Sequence, residues 1–241
     1  MFQPTLPAHT ASLMHMSDFE RRAATQTGDE HVGHTRLAGL SPTLLQDLQR
    51  RDPNAASGLD LLQVLAAALR HSRALQLHLE LDYHVIPLSV WPQQRELRSP
   101  LTLTQLLALR LPDLRVLRVE PAAPGGVPAA SPYGEPHCDP PQNAPLGVVL
   151  WELALRGARG ALLPEIAGPA AYRVAPGADL EGLALEGTLA TAVDRLRRDI
   201  APLRDIATWP GFDRDRAARL LNGLYLQAAL MVSRSHPMAL G

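Results

Sequence analysis

Several side chains in this 241-residue sequence could do chemistry if the fold brought them together. His78, Glu80 and Asp82 alternate with Leu77, Leu79 and Leu81, so on a strand they share one face. A histidine beside two carboxylates is a proton-transfer set. Glu165, within Leu163-Pro164-Glu165-Ile166-Ala167-Gly168, is another isolated acid. His137-Cys138-Asp139 joins an imidazole to the single thiol, but neighbours inside a Pro-rich segment are poorly preorganised for nucleophilic attack. The plain wet face of a strand accounts for the first set more simply. No Gly-x-Ser-x-Gly, no Walker-type loop and no His-Glu-x-x-His is present. The expectation is a protein that is not an enzyme, with no catalytic residue and no cofactor.

Metal ligation is not expected either. His9, His15, His31 and His34 crowd the first 36 residues, but their spacing is irregular and no cysteine accompanies them. One cysteine in the whole chain also excludes an intrachain disulfide and a multi-cysteine zinc site.

Two further groups could bind rather than react. Trp91 beside Pro92, at the end of a strand, is a candidate anchor for a protein partner. Arg214, Arg219 and Asn222 share a helix face and are residue types that read bases in the major groove. Between 194 and 219, however, seven arginines (195, 197, 198, 204, 214, 216, 219) meet five aspartates (194, 199, 205, 213, 215). A surplus this small, with Arg195 and Asp199 or Asp215 and Arg219 spaced to pair along a helix, describes a solvated face better than a phosphate-binding one. DNA binding is therefore the alternative reading.

These residues need elements to hold them. Residues 1–36 are polar with little apolar periodicity and read as a disordered tail, with at most a short helix near 12–22. Helices are predicted at 43–51 and 59–71. The alternation at 75–81 gives a half-buried strand with one wet face. A tight turn at 82–84 and a returning strand at 86–90 follow, with Pro87 hinting at an edge. A helix at 101–110 and a short strand at 115–120 complete a first domain, 37–120. Eight prolines and three glycines mark 121–145 as a linker. The remainder, 146–236, reads as mostly helical: 146–155, 188–199, 201–209 and 213–230, then a wing-like strand from Met231.

Composition bounds the rest. Hydrophobic residues are 46% and charged residues 20%, enough apolar matter for a sizeable core. The net charge of −1 argues against a surface dominated by nucleic-acid or lipid attraction. All 23 basic residues are arginine, with no lysine, as in proteins of GC-rich bacterial genomes. Met1-Phe2-Gln3-Pro4-Thr5 carries no basic stretch before an apolar run, and the longest apolar helix, near 59–69, is too short for a bilayer. A cytoplasmic protein without membrane contact is expected.

Leu61-Leu62-Gln63-Val64-Leu65, then Ala74-Leu75-Gln76-Leu77 and a returning strand, resemble the PATAN-type domain of bacterial signalling proteins over residues 40–110. Here Ala74 stands at the family's turn glycine, and Trp91-Pro92 where a Phe-Gly piece is usual. The stretch 202–207, 211–213 and 217–224 resembles a winged helix-turn-helix, which some such proteins carry at the C-terminus. The resemblance implies a non-catalytic signalling adaptor that works through protein–protein contact. A protein partner of unknown identity, or a second copy in a homodimer, follows. The expected fold is α+β: a small antiparallel hairpin-based sheet with flanking helices, then a mostly helical winged-helix-like domain.

Overall fold

A computed structural model of the chain describes residues 13–27, 37, 39–51, 59–122 and 142–239. His137, Cys138 and the other residues of 123–141 lie outside the described residues. The chain divides into two compact units, 1–146 and 147–241.

The first unit runs β1 (Met14–His15), α1 (Met16–Thr27), α2 (Pro42–Arg51), α3 (Leu61–Arg70), β2 (Leu75–Leu81), β3 (His84–Trp91), β4 (Glu96–Ser99), α4 (Leu103–Ala108), β5 (Arg115–Pro121) and β6 (Gln142–Pro145). Its antiparallel sheet has the order β5-β2-β3-β4-β6, and β1 also pairs with β3. Leu75, Leu77, Leu79 and Leu81 of β2 lie opposite Val90, Leu88, Ile86 and His84. All four leucines are buried, because alternation sends them to the same face. Helix α3 starts where the Asp60 carboxylate accepts the Leu62 N–H at 2.9 Å, and buries 61–68 on every side. Asp47 of α2 receives Arg70 at 2.6 Å and the His71 ring at 3.1 Å, tying α2 to the end of α3.

The structure corrects several sequence expectations in this unit. Residues 13–27, assigned above to a disordered tail with at most a short helix near 12–22, form β1 and a longer helix, α1. Phe19 packs on Val85, and its ring centre lies 5.3 Å from that of His78. One aromatic residue, with Leu13 and Met14, is enough to dock a segment whose apolar residues are too sparse to show as periodicity. Consequently the outer face of β2 is not wet: His78 is only 8% exposed. The expected linker ends earlier, since Gln142–Pro145 pairs with β4 through Leu97↔Ala144. Strand β4 itself escaped notice because Glu96–Ser99 is short and carries one large apolar residue.

The second unit holds all but the first residue of α5 (Leu146–Arg156), then β7 (Ala171–Val174), α6 (Gly187–Arg198), β8 (Ala201–Pro202), α7 (Leu203–Ile206), α8 (Arg214–Leu226) and β9 (Leu230–Ser233). Its sheet is antiparallel in the order β8-β7-β9. The helix expected over 201–209 is shorter than predicted: Ala201 and Pro202 pair with Tyr172 and Ala171, and only 203–206 are helical. Pro202 fits there because β8 is an edge strand. Both units together make the protein α+β with antiparallel sheets and eight helices among the described residues. No described helix is long and apolar enough to cross a membrane.

Burial, and secondarily the Arg118 charge beside it, push the His78 pKa down to about 4 from 6.5. The fold holds this ring neutral, while the unfolded chain protonates it near pH 6.5. Its contribution is therefore complete above pH 6.5 and is lost as the pH falls toward 4. Between pH 7.5 and pH 5 that loss is about 2 kcal/mol. Urea unfolding at the two pH values should show the wild type losing about 2 kcal/mol more stability than His78→Leu.

Candidate functional site

Strand direction assembles one cleft in the first unit. In an antiparallel sheet, β2 begins at the edge where β3 and β5 end, so Leu75, Trp91 and Pro121 arrive together. Leu75↔Val90 and Leu75↔Pro121 are the register pairs that fix this. Gly39 to Leu44 and the turn after α3 close the other sides, giving a cleft of about 510 Å³. Leu44 and Leu75, each 1% exposed, form its floor. Pro92, Gln93, Gln94 and Arg73 stand around Trp91 at the rim.

Local backbone geometry shapes that rim. Ser72 takes φ +49° as α3 ends, with its N–H on Leu69 O and the Arg73 N–H on Ala68 O. Residues 92–94 make one tight 3-10 turn that Arg95 closes at φ +55°. The Arg98 guanidinium lies 5.4 Å from the Trp91 ring centre, holding one face of the indole by a cation–π contact. The Trp91 Nε1 is buried and finds no hydrogen-bond partner among the described residues. A buried N–H without an acceptor is costly unless something supplies one.

Among the described residues Arg73 is the one ionisable side chain lining the cleft; the other polar side chains are the Ser41 and Ser72 hydroxyls and the Gln93 and Gln94 amides. An apolar floor, an aromatic wall and a few polar rim groups suit the side chains of a bound segment. Sequence reasoning singled out Trp91 but missed Leu40, Leu44, Gln93, Gln94 and Pro121. The available signal was the shared sheet edge, which requires β5 to be placed beside β2.

The proton-transfer set does not form a site. His78 is buried beside Phe19 and Arg118, whereas Asp82 is exposed in the hairpin turn at φ +48°. Glu165 belongs to the other unit, where its backbone oxygen accepts Arg234 Nη2 at 3.0 Å. Among the described residues no group of three or more His, Cys, Asp or Glu is placed to hold a metal ion.

The base-reading trio is dispersed by burial. Asn222 is fully buried; its Oδ1 accepts the Leu163 N–H at 2.8 Å and its Nδ2 donates to Ala161 O at 2.9 Å. This corrects the expectation for Asn222: its amide is spent on pinning a loop. Arg219 is half-buried and donates to Leu155 O at 3.0 Å and Gly157 O at 2.8 Å, capping the C-terminus of α5. Only Arg214 of the three is exposed. Beyond its first turn α8 is packed on most sides. Trp151 sits so close to Gly223 that a Cβ there would meet its ring at 2.9 Å. The exposed part of α8 is its first turn, Arg214 to Arg216.

Comparison with known protein families, curated proteins and solved structures finds no match for this chain.

Removing the Asn222 amide leaves the Leu163 N–H and the Ala161 carbonyl unpaired inside the unit. Asn222→Ala should cost about 2–4 kcal/mol in chemical denaturation, while Arg214→Ala should stay within about 0.5 kcal/mol of the wild type.

Proposed function

We propose that this protein is a non-catalytic bacterial cytoplasmic signalling adaptor that acts through protein–protein contact. The Trp91 cleft carries the reading. It offers an aromatic anchor, an apolar floor and, among the described residues, one ionisable side chain, Arg73. Such a cleft binds an extended partner segment through side-chain burial against the apolar floor and the indole. The resemblance of residues 40–110 to PATAN-type domains points the same way. The partner is another protein or a second copy of this chain.

The finer reading of the second unit is winged-helix-like. The order α6, β8, α7, α8, β9, with α7 and α8 contacting each other, favours it. It would then serve as a packing module, since α8 turns little but Arg214, Asp215 and Arg216 outward. Arg216 is engaged with Gly211 O at 2.7 Å and Thr188 Oγ1 at 2.9 Å. Transcriptional regulation through DNA is correspondingly the weaker reading.

A photo-crosslinking amino acid at Gln93, on the cleft rim, tests the proposal in living cells. A discrete protein adduct is expected from position 93 and none from position 83, at the tip of the β2–β3 hairpin. Trp91→Ala should weaken the identified complex about 30-fold, as loss of a central aromatic anchor does. Adducts indifferent to Trp91→Ala, or a salt-steep DNA shift abolished by Arg214→Ala, would overturn the adaptor reading.

A further inference from the structure

At the far end of the β2–β3 hairpin two histidines from distant parts of the sequence become neighbours. His15 of β1 is the register partner of His84 of β3, so the two side chains leave the sheet on the same face. Their ring centres are 5.7 Å apart, edge to face at 70°. The backbone around them is held: the Met16 N–H donates to Tyr83 O at 2.7 Å, and Met14 pairs with Val85.

Each ring is also oriented through its Nδ1. His84 Nδ1 donates to the Asp82 carbonyl at 2.9 Å; a carbonyl can only accept, so the neutral ring carries its lone pair on Nε2. His15 Nδ1 lies 3.1 Å from Ser17 Oγ, which can accept in the same way. An Nδ1–H fixed by an oxygen, with Nε2 left as the donor atom, is the arrangement found behind metal-ligating histidines. The separation fits as well. An ion bound about 2.0–2.1 Å from Nε2 stands about 3.2 Å from the ring centre, so two imidazoles on a tetrahedral ion are about 5.2 Å apart. The remaining difference of about 0.5 Å is within a small side-chain torsion adjustment.

We propose that the His15–His84 pair chelates a borderline divalent transition ion (Ni²⁺, Cu²⁺ or Zn²⁺), with water completing the coordination shell. The bound ion cross-links β1 to β3 and so fastens the first segment of the unit to the hairpin. Imidazole ligands select this class of ion over Mg²⁺ and Ca²⁺.

Calorimetric titration of the full chain with NiCl₂ tests it, beside thermal unfolding with and without the ion. One equivalent is expected to bind and to raise the unfolding temperature. His15→Asn and His84→Asn should each weaken that equivalent at least ten-fold and abolish the thermal shift, because a chelate needs both rings. A control chain with His9, His31, His34 and His137 changed to Asn and Cys138 to Ser should keep it, and MgCl₂ should give no binding. Metal-free unfolding of each variant separates loss of binding from loss of fold. Binding unchanged in either single variant, or lost in the control chain alone, would overturn the proposal.

Discussion

The first unit is governed by a two-residue turn. Asp82 and Tyr83 both adopt positive φ, +48° and +66°, so that Leu81 can face His84 and the strands can leave with matched twist. Neither residue has glycine's freedom there, and the conformation costs each of them energy. The long pairing of β2 with β3 holds it in place. From that register follow the buried leucine row, the joint arrival of Leu75 and Trp91 at one end, and the adjacency of His84 and His15 at the other.

The second unit is organised around a helix rather than a hairpin. Gly223 allows Trp151 to lie directly on α8, since any side chain there would collide with the indole. Arg219 and Asn222, which on sequence grounds look like surface functional groups, are the polar fasteners of that packing. One caps α5 and the other holds the 161–163 segment. In a sequence whose every basic residue is arginine, the residue type alone does not separate a ligand-facing group from a capping one.

What was legible in the sequence is what periodicity encodes. Helix α3, the hairpin and α8 announce themselves by dense apolar residues at regular spacing. Helix α1 does not, because its docking rests largely on Phe19 meeting a patch on β3, a contact made across some 65 residues of chain. Strands β4, β6 and β8 are short, with the first two half polar and the third only Ala201–Pro202, and exist because a neighbouring strand offers an edge. Trp91 was recognisable as an anchor; the cleft around it was not, since it needs three strand ends brought side by side. His78 shows the same blindness to tertiary context: alternation placed it on a wet face, and α1 covered that face.

The tether between Asn222 and residues 161–163 has a dynamic meaning. Leu163 lies in irregular backbone, where amide protons ordinarily exchange through small local openings. Its N–H is instead closed by a side chain 59 residues away that is itself buried in α8. Freeing that proton requires withdrawing the Asn222 amide, and hence disturbing the helix that Trp151 packs against. The loop is therefore expected to open together with α8 rather than by itself, tied to the centre of the second unit by one buried amide.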